Sequence, residues 1–137
     1  MKKVLAVDDS RVVRMMVARY LQAFACHLVE AANGQEGVAA AAQHRPDLIL
    51  LDLAMPVMDG RQALAELRRS PATSATPVIV LTAEHGREVM AEIATLGVNG
   101  WIVKPFQKDT FDREVRKVLG APGPTRMGVP GAGAASA

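Results

Sequence analysis

Short aliphatic runs alternate along this chain with longer stretches in which apolar side chains recur every three or four positions. The first kind, bounded by turn residues, predicts strands buried on both faces; the second predicts amphipathic helices. Val4-Leu5-Ala6-Val7 gives a strand over 4–7, halted by Asp8-Asp9. Val13, Met16, Val17, Tyr20 and Leu21 then share one face of a helix from residue 11, while Arg11, Arg14, Arg19 and Gln22 face elsewhere. A short strand follows over 27–31. After the Asn33-Gly34 turn, an alanine-rich helix over 35–44 sets Val38, Ala41 and Ala42 on one side.

The most apolar run, Leu48-Ile49-Leu50-Leu51, leads straight into Asp52 and predicts the central strand, 48–52. A helix over 60–69 buries Ala63, Leu64 and Leu67, and Ser70-Pro71 ends it. Val78-Ile79-Val80-Leu81 forms a fourth strand whose exit is Thr82. The helix over 86–96 turns Val89, Ile93 and Leu96 inward and stops at Gly97. A last strand over 101–103 exits at Lys104-Pro105, and a helix over 108–119 carries Phe111, Val115 and Val118 up to Gly120. Ser10 or Asp9 is placed to cap the first helix, and Asp59 the third. Strand and helix thus alternate five times, which requires right-handed crossovers and helices on both faces of a parallel sheet. The expected fold is a doubly wound α/β domain.

Length and charge narrow the function. A chain of 137 residues suits one domain, here 1–120, with no room for a second catalytic one. The net charge is only +2, and acidic and basic residues are interspersed, which argues against a nucleic-acid partner. The single cysteine, Cys26, excludes an internal disulfide, reads as a small core residue and fits a reducing cytoplasm. Lys2-Lys3 precedes an apolar run, but Asp8-Asp9 interrupts it too early for a signal peptide, and no stretch is long enough to span a membrane. Residues 121–137, mostly Ala, Gly, Pro and Ser, cannot bury enough apolar surface to offset their ordering entropy and are expected to form a disordered tail.

The chemistry gathers at the strand exits. Asp8-Asp9, Asp52, Thr82 and Lys104 each follow a strand, and in a parallel sheet all these exits share one edge, where ligands bind. If the order is 2-1-3-4-5, strands one and three are neighbours and three carboxylates meet at the switch point. Two like charges about 4 Å apart repel by roughly 4 kcal/mol at an effective dielectric of 20, so the cluster must take up protons or recruit cations. A hard divalent ion such as Mg2+ resolves it, held by carboxylates, waters and a substrate phosphate. Lys104 adds a mobile positive charge, and Thr82 a hydroxyl donor. A carboxylate backed by such groups is arranged to attack phosphorus, because they neutralise charge on a transferring phosphoryl group. Asp52 would then become an aspartyl phosphate.

Asp8-Asp9, the D-L-A-M-P-V-M-D-G stretch from Asp52 to Gly60, Thr82-Ala83 and Lys104-Pro105-Phe106 together resemble the receiver domain of bacterial two-component response regulators, specifically its stand-alone chemotaxis type. The resemblance covers about residues 2 to 120. It implies a flavodoxin-like fold with strand order 2-1-3-4-5, a borrowed rather than a deduced order. It also implies that Asp52 accepts the phosphoryl group, that Asp9, Asp52 and the Ala54 carbonyl hold magnesium directly with Asp8 acting through water, and that Thr82 and Lys104 contact the phosphoryl group. A cis bond before Pro105 belongs to the same pattern, as does a switch coupling Thr82 to an aromatic residue, here Trp101. The residues two after the acceptor and two after the threonine, Ala54 and Glu84, tune hydrolysis.

By the same resemblance the phosphodonor is a separate sensor histidine kinase, since His27, His44 and His85 show no spacing suited to metal binding and none is placed to donate within the chain. The output is a partner protein met through the fourth helix, fifth strand and fifth helix, which display Arg87, Glu88, Glu92, Trp101, Arg113 and Lys117. A monomer or weak dimer is expected, acting as a signalling protein rather than an enzyme on other substrates. An aspartate-nucleophile phosphatase would need a second acid where Ala54 stands, to protonate its leaving group. A dinucleotide or flavin module would need a phosphate-cradling loop after the first strand, where Asp8-Asp9 repels phosphate. A purely structural interaction module leaves the acidic constellation unexplained.

Overall fold

Five parallel strands form one sheet, in which the second strand of the chain lies at one edge, followed by the first, third, fourth and fifth. The computed structural model describes residues 1–55, 57–83 and 86–120. The chain runs β1 (Lys3–Val7), α1 (Arg11–Leu21), a 3-10 turn (Gln22–Phe24), β2 (His27–Ala31), α2 (Gly34–His44), β3 (Leu48–Leu51), α3 (Gly60–Arg69), β4 (Val78–Thr82), α4 (Arg87–Leu96), β5 (Gly100–Val103) and α5 (Lys108–Leu119). The expected order and alternation are thereby met. The tail, 121–137, lies outside the described residues.

Every residue of β3 and β4 is buried, as their uninterrupted aliphatic runs require. Successive side chains alternate between two cores. Val4, Ala6, Leu48, Leu50, Ile79, Leu81 and Ile102 meet Val17 and Leu21 of α1 and Phe111 and Val115 of α5. Leu5, Val7, Ile49, Leu51, Val78 and Val80 meet Ala41 of α2, Ala63, Leu64 and Leu67 of α3, and Ile93 of α4. Full burial of each such aliphatic side chain contributes about 1.5–3 kcal/mol, so the central strands anchor the sheet and leave its carboxyl edge free for polar groups. Cys26 is half-buried against the first core, and burial pushes its thiol up.

The inner face of α2 departs from the expected one. Ala42 is exposed, and the buried positions are Gly34, Gly37 and Ala41, with Val38 half-buried. The helix lies so close to the sheet that a Cβ on Gly37 would come within 2.7 Å of a Val7 methyl. Glycine, which carries no hydropathy signal, forms the contact. Ser10, rather than Asp9, caps α1 by accepting from the Val13 amide at 3.2 Å, and Asp59 caps α3 in a reciprocal capping box with Gln62.

Candidate functional site

Register fixes the site. Val7 pairs with Leu51, and the Asp52 amide donates to the Val7 carbonyl at 2.9 Å, so the residues that follow, Asp8 and Asp52, emerge side by side. Thr82 pairs with Val103, and the Lys104 amide donates to the Thr82 carbonyl at 3.0 Å, so threonine and lysine emerge on the far side of Asp52. The Lys104–Pro105 peptide bond is cis. All the strand-exit residues therefore converge.

Asp52 is only 4% exposed and Asp8 3%, while Asp9 reaches solvent. One carboxylate oxygen from each of the three lies within 4.8 Å of the others. The Lys104 ammonium stands 2.7 Å from Asp8 Oδ2 and 3.5 Å from Asp52 Oδ2, bridging the two buried acids. Asp8 is further tied by the Ser10 amide, which donates to Oδ1 at 2.9 Å. Asp52 accepts from the Ala54 amide at 3.4 Å and from the Thr82 hydroxyl. Burial, then the neighbouring Asp8 charge, pushes the Asp52 carboxyl up, and Lys104, the Ala54 amide and Thr82 offset only part of this. The site holds more negative charge than its own cation balances.

That donor set fits magnesium. It is all oxygen, it carries excess negative charge, and an octahedral shell with bonds of about 2.1 Å spaces its oxygens about 3 to 4 Å apart, close to the separation already present. Both Asp8 oxygens have protein partners, which favours a water between Asp8 and an ion, whereas Asp9 makes no hydrogen bond or ion pair among the described residues.

The loop from Asp52 into α3 is pinned at two glycines. The Gly34 amide donates to the Met58 carbonyl at 3.0 Å, and a Cβ there would meet that oxygen at 2.2 Å. Gly60 lies against the Asp52 backbone, where a Cβ would stand 2.1 Å from the Asp52 carbonyl oxygen. Between them, exposed Val57 takes φ 71°, a left-handed conformation that a β-branched residue adopts only under strain.

Residues 4–116 match the response regulator receiver domain. The chain belongs to that family. Among its relatives, PilH of Pseudomonas aeruginosa is 32% identical over 119 residues, covering 87% of this chain and 98% of PilH. The solved chemotaxis response regulator CheY4 of Vibrio cholerae is 39% identical with a TM-score of 0.80, covering 86% of this chain and 98% of that one. The receiver domain of sensor histidine kinase PA1611 from Pseudomonas aeruginosa is 28% identical with a TM-score of 0.79, covering 88% and 98%, and was solved with a magnesium ion coordinated in its active site cleft. The protein is thus a two-component receiver domain of the kind seen in CheY and PilH.

Among the other expected residues, Trp101 is half-buried against the core that Val80 and Ile93 share, and its indole Nε1 is buried with no hydrogen-bond partner among the described residues. Arg87, Glu88, Glu92, Arg113 and Lys117 are exposed. Ala54 is exposed two residues past Asp52. Glu84 and His85 lie outside the described residues. No helix among the described residues is long and apolar enough to cross a membrane. Sequence reasoning left Arg14 with the outward-facing residues of its helix. In the fold its guanidinium donates to the Asp8 carbonyl at 2.6 Å and to Glu30 at 2.9 Å. Its position one turn past the Ser10 cap was the available signal.

Proposed function

We propose that this receiver accepts a phosphoryl group on Asp52 from a phosphohistidine of a separate sensor histidine kinase, and that the modified form changes its affinity for a partner protein. The observation that carries the reading is the buried Asp52, flanked by Lys104 and Thr82 on one side and by Asp8 and Asp9 on the other. In the transfer an Asp52 carboxylate oxygen forms a bond to phosphorus, the phosphorus–nitrogen bond breaks, and the imidazole leaves with the electron pair. Lys104 and Thr82 face the equatorial oxygens where charge develops. Magnesium, held by Asp9, Asp52 and the Ala54 carbonyl with Asp8 acting through water, would offset the charge of the acidic cluster. The whole is a self-catalysed modification of a cytoplasmic signalling protein.

Output passes through the face formed by α4, β5 and α5, where Arg87, Glu88, Glu92, Arg113 and Lys117 surround Trp101. Coupling runs from Thr82 to Trp101, and the lifetime of the phosphoryl group is set by Ala54, whose methyl cannot orient a water, together with Glu84. A role in chemotaxis is in keeping with the relatives' names. Intact mass after incubation with acetyl phosphate and magnesium tests the acceptor: a gain of one phosphoryl group is expected, lost in Asp52→Asn and lost with chelator. A gain that persists in Asp52→Asn would overturn the assignment. So would no gain coupled with no binding of beryllofluoride.

A further inference from the structure

We propose that Arg14 is a positioning residue for the cation, holding the peptide that joins Asp8 to Asp9 so that the acidic cluster prefers magnesium to calcium. This rests on the reading of that cluster as a magnesium site. Arg14 is drawn in from solvent, its side chain 17% exposed, and it makes two directed bonds. One Nη donates to the Asp8 carbonyl oxygen at 2.6 Å, and Nε donates to Glu30 Oε1 at 2.9 Å. Glu30 stands on β2 beside Ala31, whose carbonyl accepts the Asp8 amide at 3.1 Å. Asp8 is therefore gripped at its amide by β2 and at its carbonyl by a guanidinium that β2 itself orients.

The Asp8 carbonyl and the Asp9 amide belong to one planar unit, so fixing the oxygen fixes the direction in which Asp9 leaves the chain. That direction matters for Asp9 alone among the three acids. Asp8 and Asp52 have partners on their carboxylates, whereas Asp9 has none among the described residues and takes its placement from its backbone. Magnesium demands a near-ideal octahedral shell at about 2.0–2.1 Å, while calcium accepts six to eight oxygens at about 2.3–2.6 Å in a flexible one. Loosening Asp9 should therefore weaken magnesium binding more than calcium binding. As a bare positive charge near the cluster, Arg14 would act oppositely: its removal would tighten the binding of both divalent ions alike. The two roles differ in sign.

The test is calorimetric titration of the full chain with magnesium chloride and with calcium chloride at matched ionic strength, for wild type, Arg14→Met and Arg14→Lys, each with a urea unfolding curve. Magnesium affinity should fall about tenfold in Arg14→Met, in the range seen when an outer-shell partner of a metal site is lost, while calcium affinity falls clearly less. Arg14→Lys, which keeps the charge and one bond to the Asp8 carbonyl, should recover part of the magnesium affinity. Equal losses for both ions, or tighter binding of both, would overturn the positioning role. Wild type binding neither ion would overturn the magnesium reading and this inference with it.

Discussion

Replacing Asp52 by asparagine should make the fold more stable at neutral pH. The carboxylate is 4% exposed, and taking a charge that far out of water costs several kcal/mol after relaxation. Its pairwise terms nearly cancel. With Lys104 Nζ at 3.5 Å, the attraction is about 5 kcal/mol at an effective dielectric of 20. With an Asp8 oxygen within 4.8 Å, the repulsion is at least about 3.5 kcal/mol on the same basis, and the equally near but solvent-screened Asp9 adds to it. No attraction is left over to cover the desolvation, which agrees with the direction in which Asp52 is pushed. Asparagine keeps an acceptor for the Ala54 amide and for Thr82, and leaves Lys104 paired with Asp8 at 2.7 Å. A gain of about 1–2 kcal/mol follows, in the manner of functional sites that trade stability for activity. For a domain of this size that raises Tm by roughly 5 °C or more.

The pH dependence separates this cause from others. A carboxyl raised in the folded state favours folding while it is protonated in both states, and this contribution is lost as pH rises from its unfolded value, about 3.9, through its higher folded value. Wild type and Asp52→Asn should therefore have similar stability in acid, and the advantage of the variant should grow with rising pH and then level off. Urea unfolding of both proteins in chelator, across that range, measures it. A variant no more stable than wild type at pH 7, or one whose advantage is the same at every pH, would refute the reasoning. Magnesium added to saturation should close the gap from the other side, since an ion at a hundred times its dissociation constant stabilises the form that binds it by about 2.7 kcal/mol.

Two further outcomes are expected. Trp101 is the sole tryptophan, and its Nε1 is buried without an acceptor among the described residues, so binding of beryllofluoride and magnesium should alter its emission; unchanged emission at saturation would sever Trp101 from the site. Ala54→Asn places an amide able to hold a water beside the acyl phosphate and should speed its decay severalfold, measured with radiolabelled protein, whereas an identical decay would remove Ala54 from the control of lifetime.

Most of this arrangement was legible because aliphatic runs and polar exits are strong local signals. No polar residue interrupts the four aliphatic residues of β3, and the strand ends at Leu51, directly before Asp52, where the carboxylate must begin to meet its partners. What pattern reading could not see was packing that depends on small or misleading side chains. Gly34, Gly37 and Gly60 carry no apolar signal, yet each sits where a Cβ would collide, with Met58, Val7 and the Asp52 backbone respectively. An alanine-rich helix likewise offers several equivalent faces, and only the close approach of Gly37 to Val7 selects the one that excludes Ala42. Arg14 was hidden for the opposite reason: a long charged side chain on a helix reads as solvent-facing, although its stem can reach back past the helix start to the Asp8 carbonyl. These residues share a location. Gly34 and Gly60 hold the loop after Asp52, Gly37 and Arg14 hold the end of β1, and together they fix the backbone from which mutually repelling carboxylates project. A cluster that its own charges would spread apart is kept within 4.8 Å by these main-chain contacts together with the Lys104 ammonium between Asp8 and Asp52, while the Asp9 carboxylate carries no partner among the described residues.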